Sequence, residues 1–128
     1  MIVDSSAILA IFFRESGSED LLSRILDAEF AGVGAPTATE TGVVLTKHLA
    51  ADAPAVLRRF FHETGITVLP FTDRHWRRAV DAYALFSKGR HPAALNFGDC
   101  MTYATAAVAA QPLLCRGEDF RRTDIELA

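Results

Sequence analysis

The sequence predicts an α/β protein with a short, mainly parallel central sheet that is covered by helices on both faces. Short apolar segments alternate with longer segments whose apolar residues recur at helical spacing, as in parallel sheets with crossover helices. Hydrophobic residues make up 50% of the 128 residues, which is enough for a substantial core. No repeat, low-complexity tract or change of composition divides the chain, so we expect a single domain over residues 1–128.

The strands are predicted from short apolar runs bounded by turn-forming residues. Met1–Val3 is apolar and β-prone, and a short buried strand or loop is expected around Gly32–Pro36. Gly65–Pro70 has turn residues at both ends, and Pro112–Cys115 is the last clear strand. Residues 125–127 are a marginal candidate for one more.

The helices are predicted from apolar spacing and from capping residues. The first covers Ala7–Phe13 and ends near Gly17, and the second starts after Ser18. The later helices start at Thr37, at Pro54, at Thr72 and at Asp99, and the last of them continues to about Ala110.

Four acidic residues are predicted to meet at one edge of this sheet. Asp4 directly follows the first strand and Asp119 follows the last, while Glu40 and Asp99 lie near the starts of helices. Ligands of parallel α/β sheets gather at the carboxyl ends of the strands, so we expect the four side chains to lie there together.

A cluster of carboxylates requires a counter-charge. Two unit charges about 4 Å apart repel by about 4 kcal/mol at an effective dielectric constant near 20, so protons or cations must neutralise the group. Oxygen ligands favour Mg²⁺ or Mn²⁺ over Zn²⁺. Such an ion beside a phosphodiester activates water for hydrolysis, and cleavage of RNA to a 3′-hydroxyl and a 5′-phosphate is the expected reaction.

Each acid also has an ordinary structural interpretation. Asp4 and Asp99 could simply cap the helices that follow them, and Glu40 stands close to a capping box with Thr37. At the fourth position, Glu118 competes with Asp119, and either could be a solvated turn residue.

Bulk charge and cysteine content restrict the possible classes. The net charge of −3 does not by itself indicate a nucleic-acid binder. Basic residues near the acids, above all Arg90, Arg116 and Arg121, are candidates to contact an RNA backbone, although solvated loop charges are an equal alternative. Two cysteines without metal-binding spacing and the lack of a long apolar stretch favour a reducing cytoplasm and no membrane span.

Taken together, these segments resemble the PIN-domain nucleases, and in particular the VapC toxins of toxin–antitoxin pairs. The resemblance covers nearly the whole chain. It is carried by Ile2-Val3-Asp4-Ser5-Ser6-Ala7, Thr39-Glu40, His91-Pro92-Ala93-Ala94-Leu95-Asn96-Phe97-Gly98-Asp99-Cys100, Tyr103-Ala104, and Pro112-Leu113-Leu114 with Gly117, Asp119-Phe120 and Thr123-Asp124-Ile125. The Leu-Asn-Phe-Gly-Asp-Cys stretch and the closing Gly-x-Asp-Phe are its most specific parts.

The resemblance implies a three-layer α/β/α fold and an Mg²⁺- or Mn²⁺-dependent endoribonuclease, in which Asp4, Asp99 and Asp119 hold the metal and Glu40 completes the catalytic set. It places the fourth acid at Asp119 rather than Glu118. It gives Ser6 and Asn96 supporting roles near the metal.

The resemblance also implies a homodimer and a cognate VapB-type antitoxin. Aromatic residues in the first and fourth helices (Phe12, Phe13, Phe60 and Phe61) would suit a groove for an antitoxin helix. Full burial of these residues in the core would exclude that groove.

Three rival functions remain to be weighed. A phosphatase of the haloacid-dehalogenase type would use Asp4 as nucleophile but normally needs a second Asp where this chain has Ser6. A receiver-like signalling domain would need paired N-terminal acids and a lysine where Arg116 stands. A PIN-fold module that binds RNA or protein without cutting is the remaining alternative, and the intact acid set argues against it.

Overall fold

A computed structural model of the chain describes residues 1–49 and 52–128. It contains a sheet of four parallel strands, β1 (Ile2–Val3), β2 (Gly32–Gly34), β3 (Thr67–Leu69) and β4 (Leu113–Leu114), in the spatial order β3-β2-β1-β4. The six α-helices of these ranges are α1 (Ser5–Phe12), α2 (Ser18–Leu26), α3 (Ala35–His48), α4 (Ala53–Thr64), α5 (Asp73–Phe86) and α6 (Phe97–Ala109). A 3₁₀ turn follows at Phe120–Arg122.

Helices cover both faces of the sheet, which confirms the predicted fold class. Ile2 and Leu113 pack into a core with α5 and α6, whereas Val3 and Leu114 pack into a second core with α1, α2 and α4. Consecutive strand residues point to opposite faces, so each two-residue strand contributes to both cores. All four side chains are almost completely buried.

Several helices begin earlier than predicted, because their caps lie upstream. α1 begins at Ser5 rather than Ala7, since Asp4 is its N-cap. α3 begins at Ala35 directly after β2, with Pro36 in its first turn, where proline costs no hydrogen bond. α4 begins at Ala53 because Asp52 caps it.

The C-terminal segment adds only a fragment of a strand. Leu127 forms one isolated parallel bridge with Leu113, so residues 125–127 are not a full fifth strand. The segment is held by Tyr103, whose buried hydroxyl donates to Asp124 at 2.6 Å. No helix in the described part of the chain is both long and apolar enough to cross a membrane.

Helices α3 and α6 cross the carboxyl edge of the sheet side by side and carry two of the acids. Thr37 and Thr102 share a buried hydrogen bond of 2.7 Å between their hydroxyls. Gly34 faces Thr105 so closely that a Cβ there would lie 2.5 Å from its Oγ1. The two helices also pack against each other where Glu40 of α3 meets Gly98 of α6, above the ends of β1 and β2.

Candidate active site

Asp4 is fixed at the end of β1 by the next turn of the chain. Its carboxylate is 4% exposed, and Oδ2 accepts hydrogen bonds from the backbone N–H of Ser6 at 3.0 Å and from its hydroxyl at 2.5 Å. The Ser6 hydroxyl in turn accepts from the backbone N–H of Arg116 at 2.9 Å. Ser6 therefore links Asp4 to the chain that leaves β4, and Asp4 both caps α1 and lies buried at the sheet edge.

Asp99 and Asn96 form a reciprocal capping box at the start of α6. The Asn96 N–H donates to Oδ2 of Asp99 at 2.8 Å, and the Asp99 N–H donates to Oδ1 of Asn96 at 2.9 Å. The structural interpretation of Asp99 is thus correct in itself, but it occupies only one carboxylate oxygen. In the ranges that the structure describes, Oδ1 of Asp99 accepts no hydrogen bond.

Glu40 does not act as a helix cap. It is the sixth residue of α3, whose N-cap Gly34 makes no side-chain bond, so the capping box with Thr37 is wrong. Instead, Oε1 of Glu40 accepts from the hydroxyl of buried Ser5 at 3.0 Å, and its Oε2 lies against Gly98. These contacts hold the carboxylate between α1 and α6.

Asp119 lies on the chain after β4 and is the least constrained of the four acids. It precedes the 3₁₀ turn, is exposed, and makes no side-chain hydrogen bond within the described ranges. Its neighbour Glu118 pairs with Arg121 at 3.4 Å. The side chain of Phe120 is only 3% exposed, and its packing in the core anchors the backbone next to Asp119.

The electrostatics of Asp99 place all four acids in one neighbourhood. The pKa of Asp99 is raised to about 6, by burial first and also by the carboxylates of Asp4, Asp119 and Glu40, while the hydrogen bond from the Asn96 backbone opposes the shift. The pKa of Cys115 is likewise raised to about 11, by burial first and then by Asp4, Asp119 and Asp99, with Arg121 opposing. Asp4, Glu40 and Asp119 thus lie near enough to Asp99 for their charges to act on it, and their shared role in one site stays a prediction.

The acids are neighbours rather than a closed ligand cage. Within residues 1–49 and 52–128, no three His, Cys, Asp or Glu side chains are grouped closely enough to hold an ion by themselves. An arrangement of this kind suits Mg²⁺, which keeps several waters and takes one or two carboxylates together with substrate phosphate. It does not suit the compact four-ligand cage of a structural zinc site.

Two of the three predicted RNA-contacting arginines lie beside this edge. Arg116 forms an ion pair with Glu15, and Arg121 pairs with Glu118. Both line a polar groove of about 260 Å³ at the end of β4, together with Arg24 of α2. Arg90 is exposed in the loop between α5 and α6, and its backbone N–H donates to Ser87.

Sequence reasoning missed residues that contact the acids from distant parts of the chain. Ser5 and Gly98 gave no signal beyond their place in a motif. The contact of Ser5 with Glu40 joins residues 35 positions apart, and the partner of Arg116 is Glu15, 101 positions away. Only the resemblance of the Ser5-Ser6 pair to a family motif pointed towards this region.

Comparison with known proteins identifies the family of the chain. The family model described as the PIN domain matches residues 1–126. Ribonuclease VapC36 of Mycobacterium tuberculosis is 43% identical over 127 residues, covering 98% of this chain and 91% of the relative.

Solved structures show the same fold at low sequence identity. The crystal structure of Mycobacterium tuberculosis VapC20, described as a toxin that cleaves the sarcin-ricin loop, superposes with a TM-score of 0.78 at 14% identity, covering 99% of this chain and 97% of that one. A toxin–antitoxin complex from Klebsiella pneumoniae gives a TM-score of 0.75 at 16% identity, with 99% and 95% covered. With a full-length match to the PIN domain and a 43% identical VapC relative, the chain belongs to the PIN-domain family and, within it, to the VapC group.

Proposed function

We propose that this chain is a metal-dependent endoribonuclease, the toxin of a VapBC toxin–antitoxin pair, and that Asp4, Glu40, Asp99 and Asp119 form its catalytic centre. The observation that carries the proposal is the convergence of these four carboxylates on one sheet edge of a VapC-group protein. The name of the 43% identical relative, a ribonuclease, supports the reaction class.

The residues present fit a hard divalent cation. Asp4 and Asp99 each use one oxygen in a hydrogen bond to the chain, and in the described part of the structure Oδ1 of each accepts none. Burial first, and the neighbouring carboxylates after it, raise the pKa of Asp99, and a bound cation would offset both effects. Asp4, Asp99 and Asp119 would hold Mg²⁺ or Mn²⁺, with Glu40 near Asp99.

A bound divalent ion supplies Lewis-acid activation of water and shields the charge of the scissile phosphate. The protein's own residues hold the acidic groups in position. Ser6 and Asn96 fix the orientation of Asp4 and Asp99, so that less rearrangement is needed when the substrate binds. Glu40, exposed and held by Ser5, would accept a proton from the attacking water. The P–O3′ bond would break and the leaving oxygen would take a proton from solvent, which gives a 3′-hydroxyl and a 5′-phosphate.

The arginines near the site would position RNA rather than read its sequence. Arg116 and Arg121 lie in the groove at the end of β4, where a backbone phosphate could exchange for their present carboxylate partners. Arg90, farther along the chain in the loop before α6, is the weaker candidate. The preferred RNA is set by contacts of this kind together with RNA shape.

The predicted antitoxin groove has a counterpart between α1, α2 and α4. It is a depression of about 410 Å³ lined mainly by apolar side chains, among them Ile11, Phe12, Leu22, Leu26 and Phe60. The rings of Phe12 and Phe60 lie 5.0 Å apart, and both are half-buried, whereas Phe61 belongs to the core. We infer that the apolar face of an antitoxin helix occupies this groove.

A charge placed in this groove tests the assignment. Leu26→Asp should weaken binding of the purified cognate antitoxin by about 10-fold or more, because Leu26 is 56% exposed in the groove. Leu85→Asp, at a site 58% exposed on α5, is the matched control and should bind normally. If the two variants bind the antitoxin with equal affinity, the antitoxin does not bind in this groove.

The homodimer has a candidate face on α5 and α6. Trp76 and Phe97 are 51% and 75% exposed and line a wholly apolar depression of about 180 Å³ with Val80 and Met101. We infer that a second copy of the chain covers this face. We also propose, as a separate point, that the toxin acts in the cytoplasm with its RNA. Trp76→Glu should convert a dimer to a monomer in light scattering, and an unchanged mass would place the dimer contact elsewhere.

The decisive test is cleavage of RNA by the purified chain, freed of antitoxin. Total cellular RNA with Mg²⁺ or Mn²⁺ should give discrete fragments whose 5′-phosphate ends identify the target. EDTA and Asp99→Asn should each abolish the fragments. If no RNA class is cut by a folded protein that still binds Mn²⁺, the non-catalytic binding function replaces this proposal.

A further inference from the structure

Gly98 occupies a place in α6 where the backbone does not require glycine. It lies in the first turn, between Phe97 and Asp99, and is not among the glycines with positive φ, which in the described ranges are Gly17, Gly65, Gly89 and Gly117. Glycine within a helix destabilises it by about 0.5–1 kcal/mol relative to alanine. The benefit of glycine at this position must therefore be the room that it leaves for a neighbouring group.

That space is occupied by Glu40. A Cβ built on Gly98 would overlap Oε2 of Glu40, and it would also lie 3.2 Å from Glu40 Cδ and 3.3 Å from Oδ1 of Asn96. On its other side, the Glu40 carboxylate accepts the hydrogen bond of Ser5 at 3.0 Å. The carboxylate is thus held between a hydroxyl of α1 and the bare backbone of α6.

We propose that Gly98 is a positioning residue: by carrying no side chain, it lets the carboxylate of Glu40 lie against the first turn of α6, one residue from Asp99. This inference rests on the proposed function, because it concerns the same acidic centre. A methyl group at position 98 would push Glu40 away from the α6 backbone, towards solvent and out of reach of Ser5.

Gly42 provides a matched control on the helix that carries Glu40. It also lies inside a helix without positive φ, and a Cβ there would meet only Leu57 Cδ2 at 3.7 Å, an ordinary contact. Gly42→Ala and Gly98→Ala therefore gain the same helical preference, but only the second displaces Glu40. Both variants should unfold at the temperature of the wild type or slightly above it.

The two variants should differ in function. Gly98→Ala should lower the rate constant of RNA cleavage by about 10- to 100-fold, with a smaller effect on KM, because a misplaced carboxylate costs rate more than binding. It should also weaken Mn²⁺ binding, measured by calorimetry on the metal-free protein, because the negative charge of Glu40 would then lie farther from an ion held by Asp4, Asp99 and Asp119. Gly42→Ala should match the wild type in both measurements.

A double-substitution cycle identifies the route of the effect. In a Glu40→Ala background the overlap is gone, so adding Gly98→Ala should leave Mn²⁺ affinity unchanged. The inference is overturned if Gly98→Ala binds Mn²⁺ and cuts RNA like the wild type, or if it weakens Mn²⁺ binding equally with and without Glu40. Should the wild type fail to cut RNA, the proposed function falls, and the Mn²⁺ cycle still decides whether Gly98 positions Glu40.

Discussion

The four acids fall into two groups that the fold treats differently. Asp4, Glu40 and Asp99 each accept a hydrogen bond from a neighbouring part of the chain, through Ser6, Ser5 and Asn96 respectively. Asp119 is exposed at the start of a short 3₁₀ turn and, in residues 1–49 and 52–128, its carboxylate accepts none. The first three acids form a held group, and Asp119 is the adjustable member.

The difference suggests how the centre works. Carboxylates held in place before binding cost less rearrangement when an ion and a phosphate arrive. An acid on a loop whose backbone is anchored by buried Phe120 can still turn its side chain to complete the coordination. The held group would define the place of the ion, and Asp119 would adapt to it.

Substitution within the held group should have the largest effect. Asp99→Asn keeps an oxygen that can accept the Asn96 hydrogen bond but removes the charge, so the capping box survives while the cation loses a ligand. Cleavage of RNA should fall by about 100- to 1,000-fold, since an ion at the phosphate stabilises the transition state by several kcal/mol. Activity within a few-fold of the wild type at saturating Mg²⁺ would exclude Asp99 from the centre.

Loosening a held acid without changing its charge should have an intermediate effect. Ser6→Ala removes the hydroxyl that joins Asp4 to the backbone of Arg116, and RNA cleavage should fall by about 10- to 100-fold. Ser23→Ala, which removes an exposed hydroxyl bonded to Asp27 on α2, is the control and should cut normally. Equal activities of the two variants would mean that Asp4 does not need Ser6.

The adjustable acid should be the least sensitive of the four. Asp119→Asn should lower cleavage by about 10-fold, and additional Mg²⁺ should restore part of the loss, because the held group still defines the site. Glu118→Gln should have no effect, since Glu118 is paired with Arg121. A larger loss for Glu118→Gln than for Asp119→Asn would reverse the assignment of the fourth acid.

The smallest effect concerns the stability of the metal-free protein. The pKa of Asp99 is about 6 in the folded chain against 3.8 for an unperturbed aspartic acid, so between these values the folded state binds the extra proton. The free energy of unfolding should therefore decrease as pH rises through that window. Above pH 6 the charged Asp99 should lower it by about 1 kcal/mol after allowance for solvent screening. Metal-free Asp99→Asn should then melt a few degrees higher than the wild type at pH 7 but not at pH 4. The same difference at both pH values would contradict this origin.

The strand positions and the acids were predictable from the sequence because local rules govern them. An apolar strand followed at once by Asp4, and the Asn96–Asp99 capping pattern, are signals within a few residues. The resemblance to a family matched Glu40 to the second acid of the family and chose Asp119 over Glu118, and both assignments still await their test. The extent of a single domain over residues 1–128 likewise stays a prediction.

The contacts that hold the acids were not predictable in the same way. Ser5 meets Glu40 only because α1 packs against α3, and Gly98 meets it only because α6 packs against α3 on another side. Such contacts depend on the three-dimensional register of helices far apart in the chain, for which a single sequence carries no local signal. The capping role considered as the alternative for Glu40 arose from placing the start of α3 two residues too late.

The central claim is that the held group defines a divalent-cation site, and its most direct test is calorimetric titration of the metal-free protein with Mn²⁺. The wild type and Ser23→Ala should bind with the same affinity, whereas Asp99→Asn should bind at least about 10-fold more weakly. Asp119→Asn should lie between them. Binding of Mn²⁺ by Asp99→Asn as tightly as by the wild type would contradict the account.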